Sequence, residues 1–74
     1  MDNRPKKRSL TLQGHRTSVT LEDAFWIAFK KIAAETDTPI NQLAAQIDEN
    51  RGLTSGLAGA IRLYVLDYYQ KRAR

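Results

Sequence analysis

HRTSVTLED, His15 to Asp23, decides how this chain is read. It alternates polar and apolar residues, then turns acidic just before a run of large apolar ones. Alternation with period two is the mark of a half-buried strand. Val19 and Leu21, with Thr17, fall on one side of such a strand. Arg16, Ser18 and Thr20 fall on the other. Upstream, SLTLQ alternates as well, but its apolar residues Leu10 and Leu12 have the opposite parity, with Gly14 between the two runs. A one-residue change of phase is what a bulge or kink produces, and glycine tolerates the backbone it needs. Residues 9–21 therefore read as one bent strand, or as a short extended lead-in and then a strand of about six residues, preceded by a flexible basic arm over residues 1–8.

Downstream the period changes to that of helices. Thr20-Leu21-Glu22-Asp23 resembles a capping box with aspartate in the N3 place. Phe25, Phe29, Ile32 and Ala33 follow at i, i+4, i+7 and i+8, widened by Trp26 and Ile27. This predicts a helix over 22–36, ended by Pro39 because the residue before proline avoids helical geometry. A second helix over 39–51 has Thr38 as N-cap and Pro39 at its first position. Its stripe is Ile40, Leu43, Ala44 and Ile47, and Gly52 is placed to close it. A third, over 55–71, starts at Thr54 and carries Leu57, Ile61, Tyr64, Val65 and Tyr68. Leu63 and Leu66 broaden its apolar arc, so more than one neighbour is expected to bury it. The last turn is rich in cations, which suits the helix dipole. No internal repeat is read in the chain.

The chain has 74 residues, enough for one domain with a marginal core. It has no cysteine and one histidine, so neither disulfides nor a four-ligand metal site is expected to reinforce it. Oligomerisation is the remaining common device. No secretory signal or membrane span is read, since the apolar run LAGAIRLYVL contains Arg62 and is far short of ~20 residues. A cytoplasmic, nucleoid-associated protein is expected.

Formal net charge is +4 and the sequence pI is near 9.8. Residues 1–20 hold Arg4, Lys6, Lys7, Arg8 and Arg16 against Asp2 alone. Residues 21–50 hold Lys30 and Lys31 against Glu22, Asp23, Glu35, Asp37, Asp48 and Glu49. Residues 51–74 are basic again. A basic arm ahead of an acidic helical body points to a polyanion at that end, contacted by Lys6, Lys7 and Arg8.

A lone strand leaves its N–H and C=O groups unpaired. With no second strand read in the chain, it must pair with its own copy, giving an antiparallel ribbon across a homodimer. Such a ribbon has the width to enter a DNA major groove. Arg16 can bond guanine bidentately, and Ser18 and Thr20 can bond either base type. Two-fold symmetry would then select a palindrome. The expected dimer core is Val19, Leu21, Phe25, Phe29, Ile47, Ile61 and Val65. His15 has neither a catalytic partner pattern nor metal spacing and is read as an exposed neighbour of phosphate. No catalytic residue, metal or cofactor is expected.

The run RTSVTLEDAFWIAFKKIAAETDTPINQLAAQI resembles the ribbon-helix-helix family of bacterial DNA-binding proteins, the Arc/MetJ type. HRTSVTLEDAFW, with a later helix ending LYVLDYY, is similar to a short bacterial subfamily of it. The resemblance covers roughly residues 9–70. It implies a mainly α fold with one strand per chain paired across a homodimer, plus a third helix beyond the minimal fold that could complete the core, extend the dimer or mediate higher assembly. It implies base contacts from Arg16, Ser18 and Thr20. It also implies a phosphate held at the start of the second helix, at Thr38, Ile40 and Asn41, since Pro39 has no N–H to give. The function expected is a homodimeric, duplex-DNA-binding transcriptional regulator or repressor. The alternative is a dimerisation, adaptor or antitoxin-like module that binds a protein. Little sequence follows the last helix to inhibit a toxin.

Overall fold

The computed structural model describes residues 3–51 and 56–73. Its elements are β1 (Lys6–Leu12), β2 (His15–Leu21), α1 (Asp23–Glu35), α2 (Ile40–Asn50) and α3 (Leu57–Arg72). The expectation of one bent strand is corrected here. β1 and β2 are separate strands that pair antiparallel within the same chain, from Lys6 opposite Leu21 to Leu12 opposite His15. Lys6, Lys7 and Arg8 belong to β1 and not to an arm.

The parity change has a simple origin. Opposed residues in this register have numbers summing to 27, so even positions of β1 share a face with odd positions of β2. Leu10, Val19 and Leu21 therefore meet on one side, and all three are buried. Gln13 and Gly14 make the connection, with φ of 52° and 83°. Two consecutive residues at positive φ are what a two-residue hairpin turn with the right twist demands.

A Cβ on Gly14 would meet no atom within 4 Å. Gly14→Ala is thus expected to cost about 1–2 kcal/mol through backbone conformation alone. Gly59 lies inside α3, also with open space around it. Gly59→Ala is expected to stabilise the chain by about 0.5–1 kcal/mol. Chemical denaturation of the two variants should give shifts of opposite sign.

α1 opens at Glu22 with no side-chain cap, so the capping box at Thr20 does not form. It closes with Asp37 at φ 53°, while the N–H groups of Asp37 and Thr38 donate to the carbonyls of Ala34 and Ala33. This bond pair is a Schellman motif with aspartate in the place glycine usually takes. Thr38 does not cap α2 either; its hydroxyl donates to the Thr36 carbonyl. The readings of Gly52 and Thr54 as helix caps lie outside the described residues.

The core is a single cluster. Leu10, Val19 and Leu21 come from the hairpin, and Phe29, Ile32 and Ala33 from α1. Leu43, Ala44 and Ile47 come from α2, and Ile61 and Val65 from α3. Of the residues expected in a dimer core, all but Phe25 are buried in one copy of the chain; Phe25 is half-buried against the cluster. Trp26 is half-buried beside it. α3 therefore completes the core of its own chain. It runs parallel to α1, since Arg62 pairs with Glu22 and Arg72 with Glu35.

Candidate nucleic-acid interface

The hairpin has two unlike faces. The inner face packs Leu10, Val19 and Leu21 on the helices. The outer face carries Lys7, Ser9 and Thr11 from β1 and Arg16, Ser18 and Thr20 from β2, all exposed. These six residues form three opposed pairs, Lys7 with Thr20, Ser9 with Ser18 and Thr11 with Arg16. Two cations, four hydroxyls and no carboxylate make this face.

The pair Leu12–His15 closes a two-residue turn and is a hydrogen-bonded pair. Alternation then makes the three outer pairs non-hydrogen-bonded ones, with Cα atoms ~4.5 Å apart and side chains close. Their own N–H and C=O groups point to the ribbon edges. Two of those groups are taken up by helices. The Thr11 N–H donates to Asn41 Oδ1 at 3.0 Å, and Arg62 Nη2 donates to the Thr20 carbonyl at 3.3 Å. Asn41 thus draws the start of α2 to the edge of β1, beside the Thr11–Arg16 end of the ribbon. The opening N–H groups of α2, at Ile40 and Asn41, stand there without intrahelical acceptors, as at any helix start.

The expected contact residues separate into two groups. Arg16, Ser18, Thr20 and Lys7 share the outer face. Lys6 and Arg8, one residue either side of Lys7, are on the inner parity and bind Asp23. Lys6 Nζ lies 3.0 Å from Asp23 Oδ2. The Arg8 side chain is only 17% exposed; it also donates to the Leu21 carbonyl and lies over the Trp26 ring, 5.6 Å from its centroid. His15 is exposed at the turn end of β2. Thr17, expected inward, lies on the inner side but is exposed, at a hollow it lines with Leu12 and His15 of the hairpin and Asp48 and Leu57 of the helices.

Ser9, Thr11 and Lys7 join this face only through the hairpin pairing, which a reading of residues 9–21 as a single strand does not provide. The opposed parities of Leu10/Leu12 and Val19/Leu21 around a Gln-Gly pair were the signal that could have placed them.

Glu22 and Asp23 hold the ribbon to the helices. Arg62 bonds both oxygens of Glu22, at 2.9 and 3.1 Å. That bond lowers the Glu22 carboxyl below its ordinary pKa, and its own backbone N–H adds to the effect. Arg8 first, then Lys6, lower Asp23 in the same way. A carboxylate with a depressed folded pKa contributes stability above its unfolded pKa and loses it as pH falls through the folded value. Thermal stability is therefore expected to fall as pH drops below about 4. Circular dichroism melts across pH should show that slope, and E22Q/D23N should flatten it.

Among the described residues, no group of three or more His, Cys, Asp or Glu side chains could hold a metal ion. No described helix is long and apolar enough to cross a membrane.

No curated protein and no solved structure matches the chain. A family model does: the ribbon-helix-helix domain, over residues 5–69. The match spans both strands and all but the end of α3. With a polar ribbon backed by helices and a match of that extent, the chain belongs to the ribbon-helix-helix domain family.

Proposed function

We propose that this protein is a transcriptional regulator that reads duplex DNA through the outer face of its ribbon. One observation carries the reading. Six exposed polar side chains, two of them cations and none an acid, lie on one face of a two-stranded ribbon narrow enough for the major groove. Arg16 and Lys7 suit guanine, and Ser9, Thr11, Ser18 and Thr20 bond either base type. Ribbon-helix-helix proteins generally bind DNA and dimerise.

The start of α2 supports the reading from the side. Asn41 holds it against the ribbon edge, where its N–H groups would meet a phosphate as the ribbon enters the groove. Phosphate contacts would set register, and the ribbon side chains would set sequence. No step of this role calls for a catalytic group or cofactor. A mobility-shift titration on genomic and random duplexes tests the proposal. Binding that weakens steeply with salt is expected. Absence of any shift at low salt would end it.

A second reading, a module that docks a protein partner, has one observation in its favour. Leu63 is 66% exposed and lines an apolar hollow between α2 and α3 with Leu43, Ile47 and Tyr64. A stoichiometric protein partner that L63E releases would support it.

A further inference from the structure

Laid against each other in the hairpin register, the strands repeat. Lys7-Arg8-Ser9-Leu10-Thr11-Leu12 and Arg16-Thr17-Ser18-Val19-Thr20-Leu21 share the pattern cation-x-Ser-aliphatic-Thr-Leu. The chain therefore contains an internal repeat, against the expectation of none. The repeat coincides with the symmetry of the fold. An antiparallel pair has a local two-fold axis normal to the sheet, between opposed residues. Ser9 is opposite Ser18. Rotation about an axis between them carries Lys7 onto Arg16, Ser9 onto Ser18 and Thr11 onto Thr20 on the outer face. On the inner face it carries Leu10 onto Val19 and Leu12 onto Leu21. Only Arg8 and Thr17 break the match, and Arg8 is the residue bound to Asp23.

The edges follow the same symmetry. The two edge groups bonded by helix side chains belong to Thr11 and Thr20, a related pair. Both ends of the ribbon are therefore held by this chain's own helices, and a further strand would have to displace Asn41 or Arg62 there.

We propose that one copy of this chain carries a complete, pseudo-symmetric reading ribbon, in which β1 stands where a second copy's β2 would otherwise stand. Lys7, Ser9 and Thr11 are then specificity-determining residues of the same rank as Arg16, Ser18 and Thr20. This rests on the ribbon's being the DNA interface. Lys7 and Arg16 lie four strand positions apart along the ribbon, about 13 Å. That span is about four base steps at 3.4 Å. A single chain would thus select a near-palindrome whose two halves differ, one met by lysine and one by arginine. Symmetry of the site does not count the copies bound; the mass of the complex does.

The test uses the full chain. Selection from random duplex DNA gives the site, and native mass spectrometry gives the number of chains on it. One chain per site is expected. K7A should relax preference in one half and R16A in the other, each by about 5- to 150-fold. K7R should make the two halves alike. Circular dichroism should show all three variants folded, since both positions are exposed. Two chains per site, with preference insensitive to K7A, would overturn the single-chain ribbon while leaving DNA reading intact. No binding to any duplex would overturn both.

Discussion

Phe29→Ala is expected to remove much of the chain's stability. Phe29 is fully buried, in one cluster with Leu21 of the ribbon, Ile32 of its own helix and Ile61 of α3. Truncating a buried phenylalanine costs about 3–5 kcal/mol, because the surroundings relax only partly around the void. A 74-residue domain has about 4–11 kcal/mol in all. No disulfide adds to that, since the chain has no cysteine. The variant should melt far below the parent by circular dichroism, if it shows a cooperative transition at all. Ile27→Ala, at a half-exposed position of the same helix, should change stability by less than about 0.5 kcal/mol. Equal effects at the two positions would mean that the cluster is not the core.

The second large effect is on binding and leaves the fold alone. The double variant K7A/R16A removes both cations of the outer face. Each bidentate contact to guanine is worth about 1–3 kcal/mol. The two positions are far enough apart for their effects to add. Specific affinity should fall by about 2–6 kcal/mol, close to the level of binding to any duplex. R8A is the informative contrast. Arg8 is one residue from Lys7 in sequence but faces Asp23 and Trp26. Its loss should lower the melting temperature and leave salt dependence nearly unchanged. Fluorescence anisotropy at several salt concentrations separates the two. If R8A and K7A weakened binding equally, the outer face would not be the interface.

These contrasts also show where the sequence was legible. The helices were, because Phe29, Ile32 and Ala33, then Leu43, Ala44 and Ile47, mark their buried stripes directly. So was the sidedness of β2, with Val19 and Leu21 opposite Arg16, Ser18 and Thr20. β1 was hidden for two physical reasons. A two-residue turn and a bulge shift the phase of alternation alike, and Gln-Gly is a quieter turn signal than Asn-Gly. Moreover, the inner face of β1 begins with Lys6 and Arg8 where leucine or valine would show a strand. Those charges are tolerated because Asp23 meets both. Tertiary pairing, invisible along the chain, let a basic run fold as a strand. Read as a lone strand, β2 calls for a mate from another copy, whereas β1 of the same chain already pairs with it.

Trp26 gives that arrangement a practical side. It is the chain's single tryptophan, and cations from two elements approach its ring: Arg8 from the hairpin at 5.6 Å and Lys30 from α1 at 5.9 Å. Its indole emission is thus an intrinsic optical gauge of whether the ribbon is seated. Detachment of the hairpin would remove the Arg8 guanidinium from the ring and admit water, while α1 and Lys30 could stay in place. Stopped-flow fluorescence could time that opening with no label attached, and DNA on the opposite face would not obscure the signal.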